Sequence, residues 1–227
     1  MTSVDPAVSG YYVNQPSLSG FVSRVSMHAR RKMFDRLMLE VRPTSSTSVL
    51  DVGVTSNKRL DSNFFERLYP HQSQITAVGL EDAFFLQDDY PGLTYVKADG
   101  LSLPFPDQSF DLVVSFAVIE HVGSRFQQKA FLAELCRVGK SVYVTTPNRW
   151  FPVEFHTVIP LLHWLPPKWF RFILRLLGKR FYAREENLNL LTARDLVKLF
   201  PSAYCCTPMD HRLFGLVSNL VIHARPL

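Results

Sequence analysis

Val49-Leu50-Asp51-Val52-Gly53-Val54-Thr55-Ser56-Asn57, VLDVGVTSN, is the stretch on which the reading of this chain turns. An apolar run that reaches an acidic residue and a glycine is how a buried parallel strand enters a ligand-binding loop. A loop built to cradle a pyrophosphate would carry two more glycines at alternate positions. Thr55 and Asn57 stand there instead. The stretch therefore predicts a strand-to-loop junction that either binds a nucleotide-like ligand without phosphates or keeps only the shell of such a site.

Downstream, short apolar runs alternate with helical segments. ITAVGL (75–80), LTYVKAD (93–99), DLVVSFAVI (111–119) and SVYVTT (141–146) read as strands. Between them, SNFFERLY (62–69), DAFFLQDDY (82–90) and RFQQKAFLAELCRV (125–138) read as helices. Strand-helix-strand repetition with β-branched strands predicts an α/β fold, a doubly wound and mostly parallel sheet covered on both faces. Upstream, Val22, Val25, Met33, Phe34, Leu37, Met38 and Val41 recur at helical spacing within 21–41. Arg24, Arg30, Arg31 and Arg36 take much of the remainder, and Pro43 marks the stop. Residues 1–20, rich in Ser, Pro and Gly, read as an irregular arm.

Beyond Pro147 the rhythm breaks. NRWFPVEFHTVIPLLHWLPPKWFRFILRLLGKRF (148–181) is too dense in proline for a sheet strand and reads as a loop plus one helix. TARDLVKLF (192–200) reads as a further helix with Thr192 at its N-cap and Asp195 three residues on. AYCCTPMD (203–210) and LVSNLVIHARP (216–226) read as two closing strands. The expected organisation is one domain over 1–227. It comprises an arm and helix (1–45), a ligand-binding core (46–147), an aromatic-rich helical insert after the fifth strand (148–190), and a C-terminal helix with strands (191–227).

Composition narrows the classes. The chain has 227 residues, 47% hydrophobic and 20% charged, which argues against disorder. A formal charge of +5 permits an anionic partner without demanding one. Cys136, Cys205 and Cys206 show no metal spacing and imply no disulfide framework, so a reducing, cytoplasmic setting is expected. MTSVDPAVSG lacks the basic-then-apolar pattern of a secretory signal. No run of about eighteen apolar residues predicts a spanning helix.

The order of strand ends carries a resemblance. Asp51-Val52-Gly53, then VGLED with Glu81 and Asp82, then ADGLSLPFPDQSFD from Ala98, then VVSFAVIEHV, follow one another. In this the chain resembles the class I S-adenosylmethionine-dependent methyltransferases, and most of all the small-molecule branch that includes ubiquinone- and menaquinone-biosynthesis enzymes. The likeness covers about residues 46–147, and Asp99 to Val122 is its most specific part. It implies S-adenosyl-L-methionine as cofactor. Lacking phosphates, that cofactor has less need of a glycine-rich cradle. The resemblance implies that Gly53 admits the ligand and that Asp51 orders the loop at the methionine end. It also implies that Asp99 accepts from the adenine amino group, with Gly100 and Leu101 completing the slot. The usual diol-binding carboxylate falls at Gly79 here. Glu81, two residues on and on the same strand face, takes that assignment. Thr55 and Asn57 either donate to the carboxylate tail or narrow the loop.

Transfer to a hydroxyl also asks for a proton acceptor, which histidine suits. His121, after the fourth strand, and His156, beside Glu154 in the insert, are the candidates. Structural hydrogen bonding is the alternative for each. Trp150, Phe151, Phe155 and Trp164 either wall the acceptor pocket or pack as core. His163 more simply satisfies a local backbone group. No metal-ligand spacing is visible along the chain.

Two functions from different classes follow. One is an O-methyltransferase of a small-molecule, sugar or lipid-linked acceptor. The other is a non-catalytic protein of the same fold that binds a partner or membrane. Nucleic acid is disfavoured as acceptor, since TTPNRW (145–150) is not the Asn/Asp-Pro-Pro-aromatic type of motif expected for one and charge alone does not identify it. Lys168–Arg180 is expected to be a basic amphipathic helix, with Lys168, Arg171, Arg175 and Lys179 on one stripe and an apolar opposite face. It either touches a membrane surface peripherally or covers the acceptor pocket as a lid.

Overall fold

The computed structural model describes residues 19–58 and 62–227, with side chains from Arg24 onward in the first helix. Most of the expected arm (1–20) lies outside the described residues. Its last two residues already belong to helix α1, Ser19–Val41. Met33, Phe34 and Leu37 turn inward at helical spacing while Arg31, Lys32 and Arg36 face solvent.

An eight-stranded sheet forms the centre. Its strands are β1 Val49–Val52, β2 Ile75–Gly79, β3 Thr94–Lys97, β4 Leu112–Phe116, β5 Val142–Pro147, β6 Tyr204–Pro208, β7 His211–Leu213 and β8 Leu216–Pro226. The order is β3-β2-β1-β4-β5-β8-β6, with β7 also paired to β8. β1 to β5 are parallel, and β8 runs antiparallel to β5, β6 and β7. This is the doubly wound, mostly parallel sheet expected.

Strand alternation divides the core in two. Val49, Leu112, Val114 and Tyr143 face α1 and the short helices α2 (Phe64–Leu68) and α3 (Phe85–Asp89). Leu50, Val52, Val113, Val142 and Val144 face α4 (Arg125–Val138) and α6 (Ala193–Leu199). Because the parallel strands are covered on both sides, they read as continuous apolar runs. A fully buried residue such as Leu132 is worth about 2–5 kcal/mol against alanine.

β7 was not expected. It is three residues long and carries no apolar run. It turns into β8 through Phe214 and Gly215, both at positive φ, as a tight hairpin requires. Residues 148–191 carry one 3-10 turn, Leu162–Trp164, and helix α5, Pro167–Leu176. A small core of their own holds Phe170, Leu174, Tyr182 and Leu188. The helix expected over 168–180 is shorter than read. Gly178, at φ +74, sends its N–H to Arg175 while Lys179 N–H reaches Leu174, a pair of bonds that ends the helix. Lys179 and Arg180 lie past it. Among the described residues no helix is long and apolar enough to cross a membrane.

β1 and β4 are neighbours from which the chain winds outward in opposite directions. The crevice at their carboxyl ends is where an open α/β sheet receives a ligand.

Candidate active site

The loop after β1 begins at Gly53, φ +118. A Cβ built there would meet Val118 Cγ2 at 2.1 Å. Ala117, itself at φ +57, turns the chain after β4 and brings Val118 to that spot. Only glycine therefore fits both the conformation and the space. Gly53 and Val54 N–H both donate to Val78 O, at 2.8 and 3.1 Å, tying the loop to the end of β2.

Thr55 and Asn57 hold the loop together locally. The Asn63 amide donates to Thr55 O at 2.8 Å and accepts from Thr55 N–H at 3.0 Å. Asn57 N–H donates to Thr55 Oγ1 at 3.3 Å. Glu81 Oε2 accepts from Ser56 N–H at 2.8 Å and from the Ser56 hydroxyl. The Tyr95 hydroxyl donates to the carbonyls of Gly79, at 3.2 Å, and of Glu81. At the end of β3, Asp99 Oδ1 accepts from Leu101 N–H at 2.9 Å. Gly100 lies so close to α4 that an added Cβ would come within 2.6 Å of the Phe131 ring.

These strand tips enclose one cavity of about 360 Å³. Gly53, Thr55, Glu81, Asp99, Gly100 and Leu101 line it, and so do His121 and His156. Asn57 and Glu154 do not. Asp51 sits behind the loop, on a small adjoining cavity of about 40 Å³. It faces the fully buried Glu66 from α2. Burial first, and the charge of Glu66 second, push Asp51 well above the usual carboxylate range. Burial raises Glu66 as well. Two facing interior carboxyls cannot both ionise, so they share a proton.

At the far end of the cavity the two histidines meet. His121 Nε2 and His156 Nε2 are 3.1 Å apart, with ring planes at 89°. His121 Nδ1 lies 2.7 Å from Asn187 O, a carbonyl that can only accept, so Nδ1 carries hydrogen. His156 Nδ1 is 2.6 Å from Glu154 Oε1. Glu154 also accepts from His156 N–H at 2.9 Å and Thr157 N–H at 2.6 Å. Burial opposes its charge, yet the His156 charge and these donors hold its carboxyl at about 2. Burial lowers His156, but Glu154 outweighs it and the net shift is upward. Burial, then the His156 charge, take His121 down to about 3. The one proton between the Nε2 atoms therefore resides on His156. Glu120, fully buried beside them, accepts from Thr146 Oγ1 at 2.9 Å. No spacing along the chain suggested a metal, yet Glu120, His121 and His156 offer ligand atoms within 4.8 Å of one another.

The donor set suits a nucleoside without phosphates. Carboxylates stand at the tips of β2 and β3, Arg30 lines the wall, and the volume is in the range of small-ligand pockets. A methyltransferase-domain family model matches residues 50–142, the span that supplies most of the cavity lining. Over that span the chain is similar to S-adenosylmethionine-dependent methyltransferases.

Over 81 residues the chain is 36% identical to a Mycobacterium tuberculosis (H37Rv) protein named a probable S-adenosylmethionine-dependent methyltransferase. That match spans 34% of this chain and 28% of the relative's length. Among solved structures, the N-methyltransferase NodS of Bradyrhizobium japonicum WM9, in complex with S-adenosyl-L-homocysteine, superposes with a TM-score of 0.61 at 12% identity. The superposition covers 98% of this chain and 99% of NodS. The [4+2]-cyclase SpnF superposes with a TM-score of 0.57 at 12% identity, over 90% and 81% of the two chains. At such identities the likeness shows the fold alone, and one fold hosts more than one reaction.

Several residues around the cavity escaped the sequence reading. Arg30 looked like one surface cation of α1 among four, but it lines both cavities and lies over the Phe64 ring at 5.4 Å. Asn63, before α2, and Ser56, within the loop, tie down the segment after β1, and Tyr95 on β3 ties down the segment after β2. Asn187 orients His121 through a carbonyl, which no side-chain pattern can signal.

Proposed function

We propose that the protein is an S-adenosylmethionine-dependent methyltransferase acting on an oxygen of a small-molecule, sugar or lipid-linked acceptor. One observation carries this reading: residues suited to the cofactor and a hydrogen-bonded histidine pair line the same cavity. In it, Glu81 accepts from the ribose diol, exchanging its bonds from Ser56 for those of the ligand. Asp99 accepts from the adenine amino group, with Gly100 and Leu101 against the ring, and Arg30 meets the carboxylate tail. The cofactor supplies an activated methyl group on sulfur. What remains for the chain is to hold the acceptor in line, exclude water and receive its proton. His121 or His156 receives that proton through Nε2, and Glu154 positions His156. Replacing the true base by alanine is expected to lower turnover about a hundredfold while cofactor affinity barely changes.

Exposed apolar side chains on the insert support a lipid-linked acceptor and peripheral contact with an anionic membrane surface. Helix α5 buries Phe170 and Leu174 but leaves Trp169 61% and Leu176 71% exposed, alongside Phe172 and Leu177. Lys168 and Arg175 are exposed on the same helix, the composition of a helix lying in a bilayer interface.

The test is transfer of a tritiated methyl group from the cofactor into cell extract, fractionated into lipid, glycan, RNA and small-molecule pools. Label in the lipid, glycan or small-molecule pool, lost in the His121→Ala and His156→Ala double variant, is the expected result. Label confined to RNA overturns the acceptor class. No label in any pool, with cofactor bound, favours the non-catalytic alternative.

A further inference from the structure

Two imidazoles whose Nδ1 atoms both carry hydrogen keep Nε2 as their one ligand atom. In this protein Asn187 O and Glu154 fix Nδ1–H on His121 and His156, and the Nε2 atoms stand 3.1 Å apart. Both Nε2 atoms can ligate one ion placed beside the line that joins them. A third group points to the same place. Glu120 is fully buried, and Thr146 ties its Oε2. Its Oε1 has no hydrogen-bond partner among the described residues and lies 3.9 Å from His121 Nε2. All three ligand atoms fall within 4.8 Å of one another.

We propose that Glu120 Oε1, His121 Nε2 and His156 Nε2 bind one divalent transition-metal cation at the acceptor end of the cavity. With metal–nitrogen bonds of about 2.0–2.1 Å, neighbouring imidazole ligands stand about 2.8–3.4 Å apart. The observed 3.1 Å falls inside that range. Glu120 needs to move inward by about 1 Å to reach bonding distance. Two imidazoles and one carboxylate suit Zn²⁺, Mn²⁺, Fe²⁺, Co²⁺ or Ni²⁺ better than Mg²⁺ or Ca²⁺. Each imidazole ligand is already anchored through its other nitrogen, His156 by a carboxylate and His121 by a carbonyl, as ligating histidines are. Both rings line the cavity, so the remaining coordination positions open onto the space for the acceptor.

With the shared proton displaced by the ion, Glu120 and Glu154 counted as ionised, Arg30 as cationic and both imidazoles as neutral sum to −1. A divalent cation brings the sum to +1, and one bound oxyanion brings it to zero. The use of the ion rests on the methyl-transfer reading. A hydroxyl bound to it loses its proton more readily, and the proton leaves to solvent while the oxygen is held for attack. In the metal-free protein Nε2 serves as the base and in the metal-bound protein as a ligand, because both roles use the same lone pair.

Full-length protein stripped by chelator and titrated with Co²⁺ tests the site by visible absorption, with neither cofactor nor acceptor present. Failure of methyl transfer and failure of metal binding are thus read separately. One Co²⁺ per chain with intensified d–d bands is expected. Glu120→Gln, His121→Ala and His156→Ala should each weaken binding at least tenfold, and Glu154→Gln about 10–100-fold. A Cys205→Ser, Cys206→Ser variant should bind as wild type, which excludes the thiols. Near-UV circular dichroism checks folding, and the near-isosteric Glu120→Gln keeps the test valid where a histidine variant unfolds. No saturable spectrum at millimolar Co²⁺, or binding that survives Glu120→Gln and the paired histidine replacement, overturns the proposal.

Discussion

Asp51 and Glu66 show what a single residue does here that its sequence position does not reveal. Asp51 was legible as the acid at the tip of β1, but its partner comes from α2, fifteen positions on, in a segment that reads only as a short apolar helix. Both carboxyls are raised, by burial first. The folded state thus keeps a proton that the unfolded chain releases above about pH 4–5. Stability contributed by this pair is therefore greatest at low pH and falls as pH rises from the ordinary carboxylate range towards the raised folded values. Glu66→Gln removes the need for that proton. The variant should melt higher than wild type at about pH 8, by on the order of 1 kcal/mol or about 2–4 °C, with the gain shrinking towards about pH 5. Scanning calorimetry at the two pH values checks this; an equal shift at both would show that packing, not the proton, is responsible. That Gly53, Glu81 and Asp99 line one cavity was legible for a simpler reason: each follows a strand, and strand ends in a parallel sheet point at one crevice. Arg30 was not, since nothing along α1 separates the arginine that meets the cavity from those in water.

At the scale of elements, end signals decided which boundaries could be read. Helix α6 begins where Thr192 caps it. Its hydroxyl accepts from Asp195 N–H at 3.2 Å and donates to Asp195 Oδ2 at 2.7 Å. Thr192→Ala should cost about 0.5–2 kcal/mol in urea unfolding, and Thr192→Ser should recover most of it. Equal losses in both variants would mean that the methyl packing of threonine, not its cap, is at work. Helix α5 has no comparable signal at its end beyond one glycine, and its apolar composition runs on past Leu177. The reading therefore carried the helix to Arg180, where the left-handed turn at Gly178 stops it. β7 exists only because β8 offers it an edge, a tertiary fact absent from three residues of sequence.

On the scale of the whole molecule, sheet order was legible from alternation, whereas the meeting of His121 with His156 was not. Each was a candidate by its place after a strand, but their 3.1 Å contact depends on how the insert folds back over β4. The insert also bears the surface that tests the lipid assignment. Arg171 pairs with Glu185 at 3.4 Å, so the exposed residues are the sharper probes. The protein should sediment with anionic vesicles at low salt and be released by added salt, and Trp169→Ala with Leu176→Ala should leave it in the supernatant. Sedimentation unaffected by the double change, or none at low salt, would remove membrane contact and leave a lid. The central claim is that the crevice at the ends of β1 to β4 binds S-adenosylmethionine despite its single loop glycine. Isothermal calorimetry with S-adenosyl-L-homocysteine tests it most directly. One site per chain, weakened by about 1–3 kcal/mol in Asp99→Ala, is the predicted result; no binding heat from folded wild-type protein at millimolar ligand would contradict it.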